Sequence, residues 1–150
     1  MGGSFGIVSG IPRANFAHVD ATPGSLVFGQ PSAFNPSPNG AVRSLVISGR
    51  LVVSTYMGGD FTQIAGQPRA RLAAFGGTTL GAWNPGADNT VVSLRLSGTT
   101  MYVGGYFGSL GGQSRPARSV GGGAPHGRVV GGAGAGESGW GLGSRAGWGW

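Results

Sequence analysis

The chain of 150 residues has no cysteine. That excludes disulfides, thiolate metal sites and cysteine nucleophiles at once. It has no lysine either, so all ten basic side chains are arginine. Acids are equally scarce: Asp20, Asp60, Asp88 and Glu137 are the full set, and the net charge is +6. A surplus of that sign suits an anionic partner. Here, however, the arginines are spread along the chain rather than clustered, so nucleic acid ranks last among the expected partners. No apolar run approaches the roughly 20 residues that a membrane-spanning helix needs, and no membrane span is expected. The two histidines, His18 and His126, have no spacing that suggests a metal site. No grouping of acid, base and nucleophile stands out, so neither a catalytic residue nor a cofactor is expected.

Glycine is abundant instead, with 34 copies, and nine prolines accompany it. Glycine costs roughly 1 kcal/mol per helix-interior position relative to alanine. It suits turns, where positive φ is required. The composition therefore predicts strands and turns with little helix.

One phrase recurs three times. Gly2-Gly3-Ser4-Phe5, Gly58-Gly59-Asp60-Phe61 and Gly104-Gly105-Tyr106-Phe107 are each followed eight residues later by an arginine: Arg13, Arg69 and Arg115. Each arginine follows a matched segment: Ser9-Gly10-Ile11-Pro12, Ala65-Gly66-Gln67-Pro68 and Gly111-Gly112-Gln113-Ser114. A second phrase lies between the copies. Phe34-Asn35-Pro36 leads to Val42-Arg43-Ser44-Leu45, and Trp83-Asn84-Pro85 leads to Val91-Val92-Ser93-Leu94. Self-similarity at a few tens of residues marks a repeat architecture. In such folds each unit buries its apolar face against its neighbours.

The second unit runs from Gly58 to Val103, because Gly104 restarts the phrase 46 residues after Gly58. It holds four predicted strands: Arg71 to Phe75, Thr79 to Trp83, Val91 to Leu96 and Thr100 to Val103. Gly-containing connections of two to five residues read as antiparallel hairpins. Four strands in about 45 residues is the content of one β-propeller blade. The first unit is ten residues longer. The excess is placed in Asp20 to Phe34, as a turn and a short strand, and in Leu51 to Met57, as a lengthened strand. The predicted fold is thus all-β, with antiparallel four-stranded units over 1–118 forming an incomplete propeller. A Gly-rich tail over 119–150, with Trp140, Trp148 and Trp150, is expected to be disordered.

The combined pattern runs Gly-Gly-x-Phe, Gly-x-x-Arg, an apolar strand, Trp/Phe-Asn-Pro, Val-x-Ser-Leu and a Ser-Gly turn. It resembles the delta-60 repeat of bacterial propeller-like proteins over roughly residues 2 to 118. The resemblance implies a long, secreted or surface-exposed repeat protein that is not an enzyme. The chain opens on a copy of the phrase, without a signal peptide, so a longer parent is expected.

The residues singled out for binding are Arg13, Arg69 and Arg115, together with Trp83, Tyr102 and Tyr106. The arginines read in two ways. They form a guanidinium array for an anionic ligand, or they bind backbone carbonyls at a blade edge, since five fixed donors suit that task. The aromatics suit a carbohydrate or protein ligand, while Phe34 and Trp83 also read as packing residues. Gly-Gly-Asp-Phe at 58–61 brushes the signature of nucleotide cyclases. It lacks the second acid, and Asp60 is replaced by Ser4 and Tyr106 in the other copies, so it reads as turn plus strand. The expected role is a non-catalytic scaffold or binding fragment whose partners are other blades or further copies of itself.

Overall fold

Each copy of the glycine phrase leads into a hairpin whose strands are two residues long. In chain order these are β1 (Ile7–Val8) with β2 (Ile11–Pro12), β5 (Gln63–Ile64) with β6 (Gln67–Pro68), and β11 (Ser109–Leu110) with β12 (Gln113–Ser114). The computed structural model describes residues 1–49 and 53–114, and the backbone of 127–132. The pairs of residues at the hairpin tips are Ser9-Gly10, Ala65-Gly66 and Gly111-Gly112, and all six have positive φ. That is the type I′ turn, whose twist matches the flanking strands.

Longer strands fill the intervals. They are β3 (Val42–Ser48), β4 (Ser54–Gly59), β7 (Leu72–Gly76), β8 (Thr79–Leu80), β9 (Val91–Ser97), β10 (Thr100–Gly105) and β13 (Gly127–Gly132). The described residues form antiparallel strands and no helix, and hence no helix long and apolar enough to cross a membrane. One sheet has the order β3-β4-β7-β8 and another β13-β10-β9.

The sheets are out of phase with the sequence unit. The four strands expected to pair within 58–103 divide between two sheets: β7 and β8 close one, while β9 and β10 begin the next. The cause is the Gly81 to Thr90 connection. After only two residues of β8 the chain leaves the sheet through Asn84-Pro85, and proline cannot extend a ladder. Strand β4 pairs instead with β3 from the preceding unit. Each sheet therefore joins two sequence repeats.

Most of the extra length of the first unit lies in one described connection. Val19 bridges Pro31, and Ser32 N–H donates to His18 O as Gly81 N–H donates to Ala74 O. Residues 21–29 thus replace the two-residue turn 77–78 between β7 and β8. The rest falls between β3 and β4, where residues 50–52 lie outside the described residues. Among the described residues the expected strand lengthening is not found, since β4 and β10 both have six residues; Leu51 and Val52 lie outside the described residues.

Strand β13 occupies ground expected to be disordered. Its register places Arg128 opposite Gly104 and Val130 opposite Tyr102. Leu72 and Ala74 face Gly58 and Tyr56 in the same way. The Arg-Val-Val run supplies β-branched residues for the position beside β10. The remainder of the predicted tail, with Trp140, Trp148, Trp150 and His126, lies outside the described residues.

The core forms two clusters that share five equivalent positions: Phe16/Leu72, Val42/Val91, Met57/Val103, Phe61/Phe107 and Ile64/Leu110. One holds Phe16, Val42, Met57, Phe61, Ile64, Ala73 and Phe75. The other holds Leu72, Ala87, Val91, Met101, Val103, Phe107 and Leu110. Phe34 packs on the first and Trp83 on the second. Adjacent residues of β7 enter different clusters, Leu72 one and Ala73 the other, because side chains alternate across a strand. The four-stranded sheet is thus covered on both faces, and the clusters are the seams between units. Of the phrase aromatics, Phe61 and Phe107 fill the seams, whereas Phe5 is half-buried.

Candidate interaction surfaces

Arg13 and Arg69 make the same contacts in successive units. Arg13 donates to Pro12 O at 2.8 Å and to Ser32 O at 2.7 Å. Arg69 donates to Pro68 O at 2.9 Å and to Gly81 O at 3.2 Å. Ser32 and Gly81 both stand two residues before the aromatic-Asn-Pro phrase. Each guanidinium ties the exit of a short hairpin to the residues that follow the outermost strand. In both, the buried Nε has no partner. Arg115 lies outside the described residues.

A second repeated clamp was not visible in the sequence. Asn15 and Arg71 both adopt positive φ and both donate their backbone N–H to the phrase aromatic, Phe5 and Phe61. Their side chains then reach the next connection: Asn15 Nδ2 to Pro38 O at 2.9 Å, and an Arg71 terminal nitrogen to Ala87 O at 3.0 Å. Asparagine tolerates that backbone region readily and so carried a signal; arginine carried none. The short hairpins are pinned from the connections as well. Asn39 Oδ1 accepts from Thr62 and Gln63 N–H, and Asp88 Oδ1 accepts from Gly108 N–H.

Asp60 is occupied by an ion pair. Arg43 Nε donates to both carboxylate oxygens at 3.0 and 2.9 Å, an Arg43 terminal nitrogen lies 2.7 Å from Oδ2, and Thr90 Oγ donates to Oδ1 at 2.8 Å. These hydrogen bonds, Arg43 first, hold the Asp60 carboxyl below its usual range against a smaller opposing effect of burial. Arg43 is the extra residue of a β-bulge: Val42 faces Gly59 and Ser44 faces Gly58, leaving Arg43 unopposed. The bulge bends the strand end and turns the guanidinium toward Asp60. An open groove lies alongside, lined by Ser4, Arg43, Asp60 and Val92. The Gly-Gly-Asp-Phe segment is thus structural in its contacts.

The aromatics expected to bind a ligand are placed differently from one another. The Trp83 ring meets Tyr56 edge-on, with centroids 5.3 Å apart, and packs on the second cluster. Phe34 stands against Phe16 and Phe75 in the same manner. Tyr102 is half-buried on β10. Tyr106 is half-exposed just past the end of β10. His18 is exposed, with its Nδ1 3.1 Å from Ser32 Oγ. No group of three histidine, cysteine or acidic side chains able to hold a metal ion occurs among the described residues. No family model, curated protein or solved structure matches the chain.

Proposed function

We propose that the chain is a non-catalytic scaffold or binding segment of a larger surface protein, built of propeller-like units of the delta-60 kind. One observation carries this reading. Successive units repeat the same arginine clamp, the same Asx contact to the short hairpin and the same seam residues. Side chains that catalysis would draw on are engaged in building the units: Asp60 with Arg43 and Thr90, Asp88 with Gly108 N–H, and Arg13 and Arg69 with carbonyls. The partners that fit are further blades or further copies of the chain. The packing of Trp83 on Tyr56 favours this over carbohydrate stacking at that residue.

Among the described residues the two larger sheets end in β3, β8, β9 and β13. Edge strands present unpaired backbone groups and invite pairing with another chain. The full chain is therefore expected to self-associate in light scattering, with mass rising with concentration. A compact, stable monomer across that range overturns the reading.

A further inference from the structure

The chain has five asparagines, and Asn39 is the one that glycine follows, as Gly40. That pair carries a chemistry of its own. A glycine has no side chain to hinder its amide nitrogen, and its backbone turns freely. The Gly40 nitrogen can therefore attack the carbonyl carbon of the Asn39 side chain. A C–N bond forms, the bond to the side-chain amide nitrogen breaks, and ammonia departs with the Gly40 amide proton. Water then opens the cyclic imide at either carbonyl, giving aspartate or isoaspartate at position 39. In isoaspartate the main chain runs through the side-chain carbon and is longer by a methylene. Asn39 is exposed, so water reaches it.

The fold holds both partners of that reaction. Asn39 Oδ1 accepts from Thr62 N–H at 2.8 Å and from Gln63 N–H at 2.9 Å, and Nδ2 donates to Thr62 Oγ at 3.0 Å. Asn39 N–H donates to Gln63 O at 3.0 Å. Its neighbours in the connection are tied as well. Pro36 O accepts from Ala65 N–H at 2.6 Å, and Pro38 O from Asn15 Nδ2 at 2.9 Å. Gly40 lies against the backbone of the glycine phrase, where a Cβ would stand 2.9 Å from Phe61 N and 3.0 Å from Asp60 C. The two donors on Oδ1 polarise the carbonyl, but ring closure bonds its carbon to the Gly40 nitrogen. That draws the amide off Thr62 and Gln63 and shifts the glycine against Phe61.

We propose that Asn39 is a modification site at which deamidation waits on release of the 36–41 connection from the β5–β6 hairpin, and that the fold then accepts one product and rejects the other. The second unit supplies the comparison. Asp88 stands at the position of Asn39, and Gly108 and Ser109 at those of Thr62 and Gln63. Asp88 Oδ1 accepts from Gly108 N–H at 2.9 Å, and Asp88 N–H donates to Ser109 O at 3.2 Å. A carboxylate therefore serves where the amide does, and the Thr62 hydroxyl donates to it as readily as it accepts from Nδ2. Isoaspartate does not serve. Its added methylene moves the carboxylate away from the hairpin N–H groups and pushes Gly40 toward the backbone of Phe61, so the hairpin loses its cap. Neither half of the proposal depends on what the chain binds.

The test is incubation of the full chain in mildly alkaline buffer, native and in urea, followed by mass mapping of the tryptic peptide that ends at Arg43. Asn39 is expected to deamidate at least about tenfold more slowly in the native chain, because the reaction draws on the open population alone. Thr62→Val removes the acceptor of Nδ2 and should quicken the native reaction while leaving the rate in urea unchanged. Thr62 is exposed, so the fold should survive, as far-UV circular dichroism checks. Asn39→Asp should keep the amide-exchange protection of Thr62 and Gln63. The isoaspartate form, separated chromatographically from chain aged in urea and refolded, should lose it. Native deamidation as fast as that in urea overturns the gate, as does a folded Thr62→Val that reacts no faster than the parent. Slower reaction in urea at Asn39 than at Asn15 or Asn89 overturns the site. Protection kept in the isoaspartate form, or lost in Asn39→Asp, overturns the assignment of products.

Discussion

Arg13 and Arg69 show why a guanidinium serves here and an ammonium does not. The two terminal nitrogens of Arg69 reach carbonyls twelve and one residues away in sequence, Gly81 O and Pro68 O, from one planar group. Lysine has a single nitrogen on a flexible stem and no fixed fork. Replacing Arg69 by lysine should therefore leave one carbonyl without its partner and cost about 1–2 kcal/mol, because hydrogen bonds to charged groups are the stronger kind. The measurement is the urea midpoint. A midpoint equal to that of the parent would show that the clamp contributes nothing. The sequence offered backbone carbonyls as one reading for the arginine, but which carbonyls was hidden. They are backbone carbonyls, which every residue has, and no side-chain pattern announces them. The same limit hid the clamp at Arg71, where the clue is a positive φ at a residue that rarely adopts one.

The β7–β8 and β9–β10 hairpins were legible because glycine-bearing turns and β-branched runs are local signals, and their turns at Gly77 and Gly98 lie where those signals put them; the short hairpins tipped by Ala65-Gly66 and Gly111-Gly112 were not expected as strands, since two residues a side carry no alternating pattern. The phase of the sheets was not legible. Pairing of β4 with β3 rather than β8 with β9 depends on where the chain leaves the sheet, and that is decided by tertiary packing. The glycine pairs lie at the same juncture. A Cβ built on Gly59 would stand 2.0 Å from Ala41 O, and one on Gly105 2.1 Å from Thr90 O. Backbone is the obstacle in both, so no side chain can swing aside. Gly76, at the end of β7, has open space around it and ordinary φ. Gly59→Ala is accordingly expected to destabilise by about 1–3 kcal/mol or more, as overpacking does. Gly76→Ala should stay within about 0.5 kcal/mol of the parent, as exposed sites do. Thermal or urea unfolding of the two variants decides it. Equal losses would mean that the close approach at the bulge is not what keeps the glycine there.

At the scale of the molecule, the seams decide how far a disturbance travels. Val42 and Val91 open the first strands of their sheets, and each lies over the leading glycine of the preceding phrase, Gly2 and Gly58, with a Cβ there meeting the valine Cγ1 at 2.6 Å. Both valines are buried, each in its own cluster. Val91 packs with residues of β7 and β10 at once, so it joins the four-stranded sheet to the next one. In a stack where each unit touches only its neighbours, stability is close to a sum of unit and seam contributions. Val91→Ala then weakens one seam, by about 2 kcal/mol on the scale of buried truncations. The sheet for which that is the one seam among the described residues should respond most. Amide hydrogen exchange is expected to quicken across Val91–Gly105 more than across Val42–Ser48, which also has the other seam. Val42→Ala should quicken Val42–Gly59 while Val91–Gly105 changes less. Local openings report such differences because exchange reads the stability of each cooperative segment separately. If both variants quicken exchange equally everywhere, the two sheets open as one body, and a closed cooperative core replaces the stack as the account of this fold.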